Sequence, residues 1–451
     1  MELIASIPLI GGFLSTVIPF ILVLGIVVAI HEYGHYIVGR WSGIHAEVFS
    51  IGYGKAIWSG YDKRGTKWQV AWLPLGGYVK FLGDSNAASY GDGSQAENVA
   101  AEDRDRAFPT ASVGARAATV AAGPIFNFIL SAIIFTGIFL YVGTATPVPT
   151  VGELRMPITA PYDLRENDEI LAVNGEDVAS FSDINTILSD METKGDLDLL
   201  VRRGGDEILV KSPFLFPPLV TRVSPLSPAS QAGLQEGDLI LSLGGDELAL
   251  FDSLKAVVLA NEGKTLDMTV LRAGEEVALE ITPEITDRPK EGGGFQKQVM
   301  IGIAGGYPFD VKTETPSFFP TLWRGTVQVW EVIKASLDGL RHIIRGAFGA
   351  EDGLGADNLQ GPLGIAQISG ESAAQGLMNF IELVALLSTA IGMLNLFPIP
   401  ILDGGHLVIF AYEAIAGKQP PESVLNVAMS IGFVLLMALM LFATYNDIMR
   451  I

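Results

Sequence analysis

Four long apolar segments constrain the fold of this chain more than any other feature of its sequence. They span about 7–38, 112–141, 377–410 and 424–443. A helix crosses a bilayer with roughly 20 apolar residues, so each segment is long enough to do so. The sequence therefore predicts a polytopic α-helical membrane protein with four transmembrane helices. The first segment lacks a basic start and contains a polar cluster, so we expect a span there and not a cleaved signal peptide.

Basic residues between the first two segments predict the orientation of the chain. The residues before the first segment include no base, whereas the loop at 39–111 carries them at positions 40, 55, 63, 64, 67, 80, 104 and 106. By the positive-inside rule this loop faces the cytoplasm, and both termini lie outside. The long region 142–376 then falls on the outer face of the membrane.

Charge and cysteine content exclude several classes of function. The net charge is -21 at pH 7, which argues against a nucleic-acid partner because phosphates need a basic surface. The chain has no cysteine, so disulfides and thiolate metal ligands are excluded. Any transition-metal site must therefore use histidine and carboxylate side chains, and there are only 5 histidines.

Two of these histidines lie in the first apolar segment, in the sequence His-Glu-Tyr-Gly-His at 31–35. This fits the H-E-x-x-H pattern of zinc sites, in which two histidines four apart share one face of a helix. His31 and His35 would bind Zn²⁺, and Glu32 would take a proton from a water at the metal and later give it to the leaving amine. Ionisable residues in a span are costly, so function explains this cluster better than chance does.

A third protein ligand is expected, since catalytic zinc sites use three. The candidate is Asp403, in the sequence Asn-Leu-Phe-Pro-Ile-Pro-Ile-Leu-Asp-Gly-Gly-His at 395–406. Pro398 and Pro400 must break the helix of the third segment, and broken backbone at this depth is tolerated only inside protein or beside water. We therefore expect a carboxylate aimed inward on flexible backbone. An ordinary Asp-Gly turn near the membrane face is the alternative.

Other side chains compete for the role of third ligand. His406 is a rival, but a carboxylate together with one hydroxide brings Zn²⁺ close to neutrality, which favours Asp403. His406 would then lie beside the site or at the surface. A membrane metal site with a glutamate as its third ligand is a further alternative, for which the spans offer Glu382 and Glu413.

The outer region contains two copies of one sequence unit. Residues 164–187 and 234–257 align without a gap at an offset of 70, which pairs Asp168 with Asp238. Strand-like runs lead into glycine turns and short helical patterns, so we expect two copies of a small α/β unit. The second copy, at 227–245, resembles a PDZ domain. We predict a tandem PDZ insert that binds peptide termini by strand addition, with a spacer that binds nothing as the alternative.

Two further segments complete the predicted domain organisation. Residues 318–345 carry apolar residues at helical spacing, which predicts an amphipathic helix on the membrane surface or packed on the repeats. Residues 67–82 have two β-rich runs around a Pro/Gly turn, which predicts a β-hairpin. The predicted parts are an N-terminal membrane core, two PDZ domains, an amphipathic helix with a linker, and a C-terminal membrane core, at 1–141, 142–218, 219–310, 311–376 and 377–451.

The motifs of the first and third spans together resemble those of the site-2 proteases, which are intramembrane zinc metalloproteases. That family has H-E-x-x-H in its first core span and N-x-x-P-x-P-x-L-D-G in its third, and this chain matches them at 31–35 and 395–404. Four spans with a tandem PDZ insert are similar to the bacterial, sigma-E-regulating branch of the family. Further segments that resemble this branch extend the likeness over nearly the whole chain, at 49–55, 74–80, 121–128 and 358–366.

The resemblance implies a role for each matched residue. It makes His31, His35 and Asp403 the zinc ligands and Glu32 the catalytic acid/base. It makes Asn395 a residue that holds the substrate backbone. It also implies that the hairpin is membrane-associated, with a plain cytoplasmic hairpin as the alternative. An edge strand would then bind the substrate by strand addition through Gly76, Gly77, Tyr78, Val79 and Lys80.

The resemblance also implies a substrate and a location. The substrate is the transmembrane segment of a single-pass protein, similar to an anti-sigma factor, that another protease has already trimmed; remnant signal peptides are a second class. The PDZ pair would exclude untrimmed proteins. The implied location is the bacterial inner membrane, with the PDZ domains in the periplasm and the catalytic site toward the cytoplasm, in an envelope stress response.

Two other classes of function compete with this one. A membrane-tethered quality-control protein, whose PDZ pair binds misfolded proteins without catalysis, leaves His31, Glu32, His35 and Asp403 unexplained. An ion transporter with a broken helix would be expected to repeat its spans in inverted order. The sequence repeat lies in the outer region instead.

Overall fold

The computed structural model describes residues 11–83, 100–155, 162–191, 194–290, 294–350, 353–355 and 358–450. The chain forms two compact units, one made of Met1–Ile138 with Phe319–Ile451 and the other of Phe139–Phe318. The predicted division into five parts is finer than these two units and stays a prediction.

The first unit begins with two long apolar helices separated by two strands. They are α1 (Gly11–Trp41), β1 (Ala46–Tyr61), β2 (Lys67–Phe81) and α2 (Val113–Val142). Within the described residues, α1 and α2 belong to a set of four helices that are long and apolar enough to cross a membrane. The four predicted spans are therefore confirmed as helices, although residues 7–10 of the first lie outside the described part of the chain.

The pairing of β1 with β2 corrects the predicted hairpin at 67–82. The two halves of β2 do not pair with each other, because residues 67–70 and 77–80 both pair with residues 48–51 of β1, on opposite sides. Strand β2 doubles back near Gly76, whose φ of +135° suits glycine. The prediction was wrong because both β-rich runs have a common partner in residues 48–51, earlier in the chain, which a local pattern does not reveal. Residues 77–81 are left along one edge of the described sheet.

The second unit consists of short strands and small helices. In chain order these are β3 (Thr144–Ala145), β4 (Val151–Leu154), β5 (Glu169–Val173), β6 (Glu176–Asp177), α3 (Phe181–Asp190), β7 (Leu197–Arg203), β8 (Asp206–Ser212), β9 (Arg222–Val223), α4 (Pro228–Gln231), β10 (Leu239–Leu243), β11 (Asp246–Glu247), α5 (Phe251–Ala260), β12 (Leu266–Arg272), β13 (Glu275–Ile281), β14 (Glu284–Pro289), β15 (Phe295–Met300), β16 (Ile303–Ala304), β17 (Phe309–Val311) and β18 (Thr313–Glu314).

Two four-stranded sheets of this unit have the same strand order. One runs β6-β5-β7-β8 and the other β11-β10-β12-β13. Each sheet packs its own apolar core, with Ile170, Leu199 and Ile184 in the first and Ile240, Met268 and Leu254 in the second. In each case a ten-residue helix, α3 or α5, contributes to the core.

Both sheets contain the same buried ion pair. Asp168 is fully buried and accepts two hydrogen bonds from the Arg203 guanidinium, at 2.7 and 2.8 Å. Asp238 is also fully buried and accepts two from Arg272, at 2.8 and 2.7 Å. Each carboxylate also accepts the backbone N–H of the residue three positions earlier, at 2.9 Å. Hydrogen bonding to Asp168 raises the pKa of Arg203 above its usual value.

Replacing Asp168 with Ala is expected to lower the free energy of unfolding of the second unit by about 3 kcal/mol, because Arg203 loses its buried partner. Unfolding of the full-length protein can be followed by limited proteolysis in increasing urea. The matched control is Glu169→Ala, which removes the partner of Arg202 at the surface, where ion pairs contribute little. Equal effects of the two substitutions would contradict the assignment.

The remaining helices are α6 (Phe318–Ala347), α7 (Pro362–Ala374), α8 (Leu377–Asn395), α9 (Asp403–Ala416) and α10 (Glu422–Arg450). Helix α6 confirms the predicted helix at 318–345. The helix break predicted around Pro398 and Pro400 is also confirmed, since α8 ends at Asn395 and α9 begins at Asp403. The third span is therefore the shorter segment Leu377–Asn395 and not the whole of 377–410.

A buried carboxylate in the last helix caps the start of α7. Asp447 is 2% exposed and accepts the backbone N–H groups of Gly361 and Gly364, at 3.0 and 2.9 Å. These amides belong to the amino end of α7, where N–H groups have no partner within the helix. Asp447 thus fixes the position of α10 relative to α7.

Candidate metal centre

The helical spacing of α1 brings two imidazoles together on one face. The Nε2 atoms of His31 and His35 are 3.1 Å apart. Asp403 reaches the same point from α9, with its Oδ2 atom 3.2 Å from His31 Nε2 and 3.6 Å from His35 Nε2. All three side chains are buried, with exposures of 9%, 1% and 7%. Residues almost 370 positions apart in the sequence therefore meet at one point.

The Asp-Gly-Gly sequence places the carboxylate by close packing. Asp403 is the first residue of α9, where the helix dipole favours a negative charge. A Cβ on Gly404 would overlap the carbonyl groups of residues 396 and 397, and one on Gly405 would overlap that of Ile399. The glycines let the turn before α9 pack tightly against its first residues, and the expected flexibility of this backbone stays a prediction.

The three side chains fit a zinc ion. Two imidazole nitrogens and one carboxylate oxygen are ligands that zinc prefers, and the three ligand atoms lie within 4.8 Å of one another. Asp403 Oδ2 is buried without a hydrogen-bond partner among the described residues. A buried carboxylate oxygen in this state is costly unless a cation compensates its charge.

Helix α2 supports both imidazoles from behind. The Nδ1 of His35 lies 2.9 Å from the backbone carbonyl oxygen of Thr119 and donates to it, which leaves Nε2 for the metal. Asn127 lies 3.2 Å from the Nδ1 of His31. Gly123 faces both rings: a Cβ there would be 2.5 Å from Cε1 of His35 and 2.9 Å from Cε1 of His31. Sequence reasoning assigned no role to these three residues, although two of them lie in the segment 121–128 that resembled the family.

Replacing Gly123 with Ala is expected to weaken zinc binding, because the added methyl group occupies the space of the imidazole rings. Overpacking of this kind costs about 1–3 kcal/mol. The matched control is Gly137→Ala in the same helix, where an added Cβ meets nothing within 4 Å. Metal content after dialysis measures the effect, and wild-type zinc affinity in Gly123→Ala would contradict it.

Glu32 lies between the ligand group and the edge of the sheet. A Cβ on Gly77 would be 3.0 Å from the Cγ of Glu32 and 2.9 Å from a methyl group of Val28. The glycine therefore lets the edge segment 77–81 approach α1 at the position of the glutamate.

Two other predicted residues of this segment contact side chains of strand β1. The ring of Tyr78 stacks on Tyr53, with centroids 5.9 Å apart, and the hydroxyl of Tyr53 donates to the Gly77 carbonyl oxygen at 2.9 Å. Lys80 pairs with Glu47 at 2.7 Å. Tyr53 in this way braces the turn at Gly76, where a Cβ would be 2.6 Å from its ring.

The rival ligands lie outside the metal-capable group of the described residues. His406 is 4% exposed, so the expectation that it could lie at the surface is wrong. Glu413 pairs with Arg116 at 2.7 Å. Asn395 is the last residue of α8 and is half-buried, and its role stays a prediction.

Zinc-ligating side chains from two apolar helices, with a glutamate beside them, are typical of a metalloprotease embedded in a membrane. The chain belongs to peptidase family M50, the site-2 proteases, whose profile matches residues 19–439. It is therefore a site-2-type zinc metalloprotease, its metal is Zn²⁺, and it is a multi-pass protein of the inner membrane.

Several curated relatives match over their whole length. The chain is 35% identical over 446 residues to "Putative zinc metalloprotease Atu1380" of Agrobacterium fabrum, an alignment that covers 97% of each chain. It is 32% identical over 468 residues to "Regulator of sigma-E protease RseP" of Escherichia coli K12, with 98% of this chain and 100% of that one covered. A "Regulator of sigma E protease" of Salmonella typhi is 33% identical over 459 residues.

Proposed function

We propose that this protein hydrolyses a peptide bond within the transmembrane segment of a single-pass membrane protein. His31, His35 and Asp403 hold the zinc ion, and Glu32 is the catalytic acid/base. The observation that carries the proposal is the close approach of Gly77 to Glu32, since a Cβ on Gly77 would be 3.0 Å from the glutamate Cγ. This approach brings the edge segment 77–81 directly beside the group of metal-ligating side chains.

Glu32 moves the proton in this reaction. The zinc ion supplies a Lewis acid that polarises the scissile carbonyl group and lowers the pKa of water. Glu32 takes a proton from the attacking water as the new C–O bond forms. It gives that proton to the amide nitrogen as the C–N bond breaks, so that an acid and an amine leave.

The substrate helix has to unwind before this chemistry can occur. A carbonyl group in a helix is already hydrogen-bonded and is shielded by its neighbours. Residues 77–81 lie at a sheet edge and can pair with an extended segment through backbone groups. Asn395 holds the substrate backbone on the side of α8. Strand pairing replaces the hydrogen bonds that the substrate loses on unwinding.

The second unit, which is the outer unit in the proposed orientation, selects substrates by size. The equal strand order of its two sheets supports a tandem PDZ insert, which binds peptide termini or excludes large outer domains. The basic loop at 39–111 supports an orientation with the outer unit in the periplasm and the catalytic site toward the cytoplasm. The names of the relatives from Escherichia coli and Salmonella typhi support an anti-sigma-factor-like substrate in regulated intramembrane proteolysis, with remnant signal peptides as a second class.

Removal of zinc tests the proposed reaction. Purified protein is incubated in detergent with a single-pass substrate that has a trimmed outer domain. Cleavage is expected to stop after chelation and to return on addition of Zn²⁺, as measured by the appearance of a shortened fragment. The matched substrate with its outer domain intact should be cleaved more slowly. Cleavage that persists in metal-free protein would contradict the proposal.

A further inference from the structure

The hydrogen bond between His31 and α2 has an unusual arrangement. Asn127 is fully buried, and its amide nitrogen Nδ2 lies 3.2 Å from Nδ1 of His31. The amide oxygen Oδ1 of Asn127 is buried without a hydrogen-bond partner among the described residues. An amide oriented in this way donates a hydrogen bond to the ring nitrogen and leaves its own oxygen without a donor, which is costly in the interior.

Zinc binding requires the opposite arrangement. An imidazole that binds a metal through Nε2 carries its proton on Nδ1, and this N–H needs an acceptor. His35 meets the requirement, since the Thr119 carbonyl oxygen accepts its Nδ1–H. The oxygen and nitrogen of an amide side chain are nearly equal in size. A half-turn about the Cβ–Cγ bond of Asn127 therefore brings Oδ1 to the Nδ1 of His31, where it can accept the ring N–H.

We propose that Asn127 is a positioning residue of the zinc centre. Its side-chain oxygen accepts the Nδ1–H of His31, which fixes the ring orientation and leaves Nε2 unprotonated for the metal. The inference rests on the proposed ligation of zinc by His31. It assigns to α2 a hydrogen-bond acceptor for each of the two imidazoles, one from the backbone and one from a side chain.

The backbone around Asn127 is held in place by a neighbouring span. The carbonyl oxygen of Asn127 accepts hydrogen bonds from Ser131 and Ser388, each at 3.0 Å. A Cβ on Gly392 would be 3.1 Å from the Cβ of Asn127. Packing of α8 on α2 thus fixes the side chain that orients the first ligand.

Zinc affinity of three variants tests the proposal. Asn127→Leu keeps the volume and removes the acceptor, so zinc binding, measured by competition with a chromophoric chelator, should weaken about 10–100-fold. Asn127→Asp keeps an acceptor and cannot donate, so its affinity should equal or exceed that of the wild type. Thr136→Val is the matched control, because it removes a buried hydroxyl of the same helix that donates to the carbonyl oxygen of Ala132 and not to an imidazole. The visible spectrum of Co²⁺-loaded protein should change only in Asn127→Leu.

The outcomes separate this inference from the proposed function. If Asn127→Leu binds zinc like the wild type while His31→Ala does not, the inference fails and the ligand set stands. If Asn127→Asp is as weak as Asn127→Leu, Asn127 acts as a donor and the inference also fails. If His31→Ala retains wild-type affinity, the proposed ligand set itself fails. Thermal unfolding of each variant shows whether a loss of zinc reflects a loss of fold.

Discussion

Replacement of Glu32 with Gln is expected to slow cleavage by about 10²–10⁴-fold, with zinc content and unfolding temperature unchanged. The amide has nearly the same shape as the carboxylate, so the packing of Glu32 against the edge segment 77–81 is kept. It cannot take a proton from water, however, so the step that generates the nucleophile is lost. The rate is measured on the trimmed single-pass substrate, together with the zinc content of the same preparation.

The meaning of this result depends on a paired control. Glu47→Gln neutralises the partner of Lys80 in the sheet of β1 and β2 and should leave the cleavage rate near that of the wild type. Substantial cleavage by Glu32→Gln would assign the proton transfer to another group. Loss of zinc in Glu32→Gln would instead make Glu32 a ligand.

The second large effect is expected for Asp403→Ala, which should release zinc from a protein that still folds. Two imidazoles alone offer one ligand fewer than zinc sites of this kind use. The loss of affinity should therefore exceed the roughly 100-fold that follows the loss of an outer hydrogen bond. Zinc content after gel filtration in the presence of a mild chelator measures the effect.

Asp447→Asn is the matched control for this substitution. Asp447 is also a buried carboxylate of the C-terminal half, but it accepts backbone N–H groups at the start of α7. Its replacement should lower the unfolding temperature and leave the zinc affinity of the folded protein intact. If Asp403→Ala keeps its zinc and Asp447→Asn loses it, the third ligand has been misassigned.

The sequence predicts which three side chains the structure brings together at this site, and the physical reason is local. His31 and His35 are four residues apart and therefore lie on the same face of any α-helix. The prolines before Asp403 end a helix in any surroundings. Both features depend on residues close together in the chain. The equivalence of Asp168 and Asp238 in the two sequence copies can be predicted for a related reason, since each copy repeats a short local pattern.

The features that sequence reasoning missed depend on contacts between distant segments. Thr119, Gly123 and Asn127 reach the imidazoles only because α1 and α2 approach closely, at Gly34 and Gly123. The position of residues 77–81 depends on strand pairing with β1 and not on the turn at Gly76. A single sequence shows the residues of such contacts but not the partner that gives each of them its role.

The meeting of His31 and His35 with Asp403 has a consequence for the order of events during synthesis. A ribosome makes the two imidazoles of α1 first, the carboxylate of α9 much later, and Asp447, which caps α7, after both. A nascent chain therefore holds an incomplete group of ligand side chains while its first two spans are made. The group becomes complete only after residue 403 has been added.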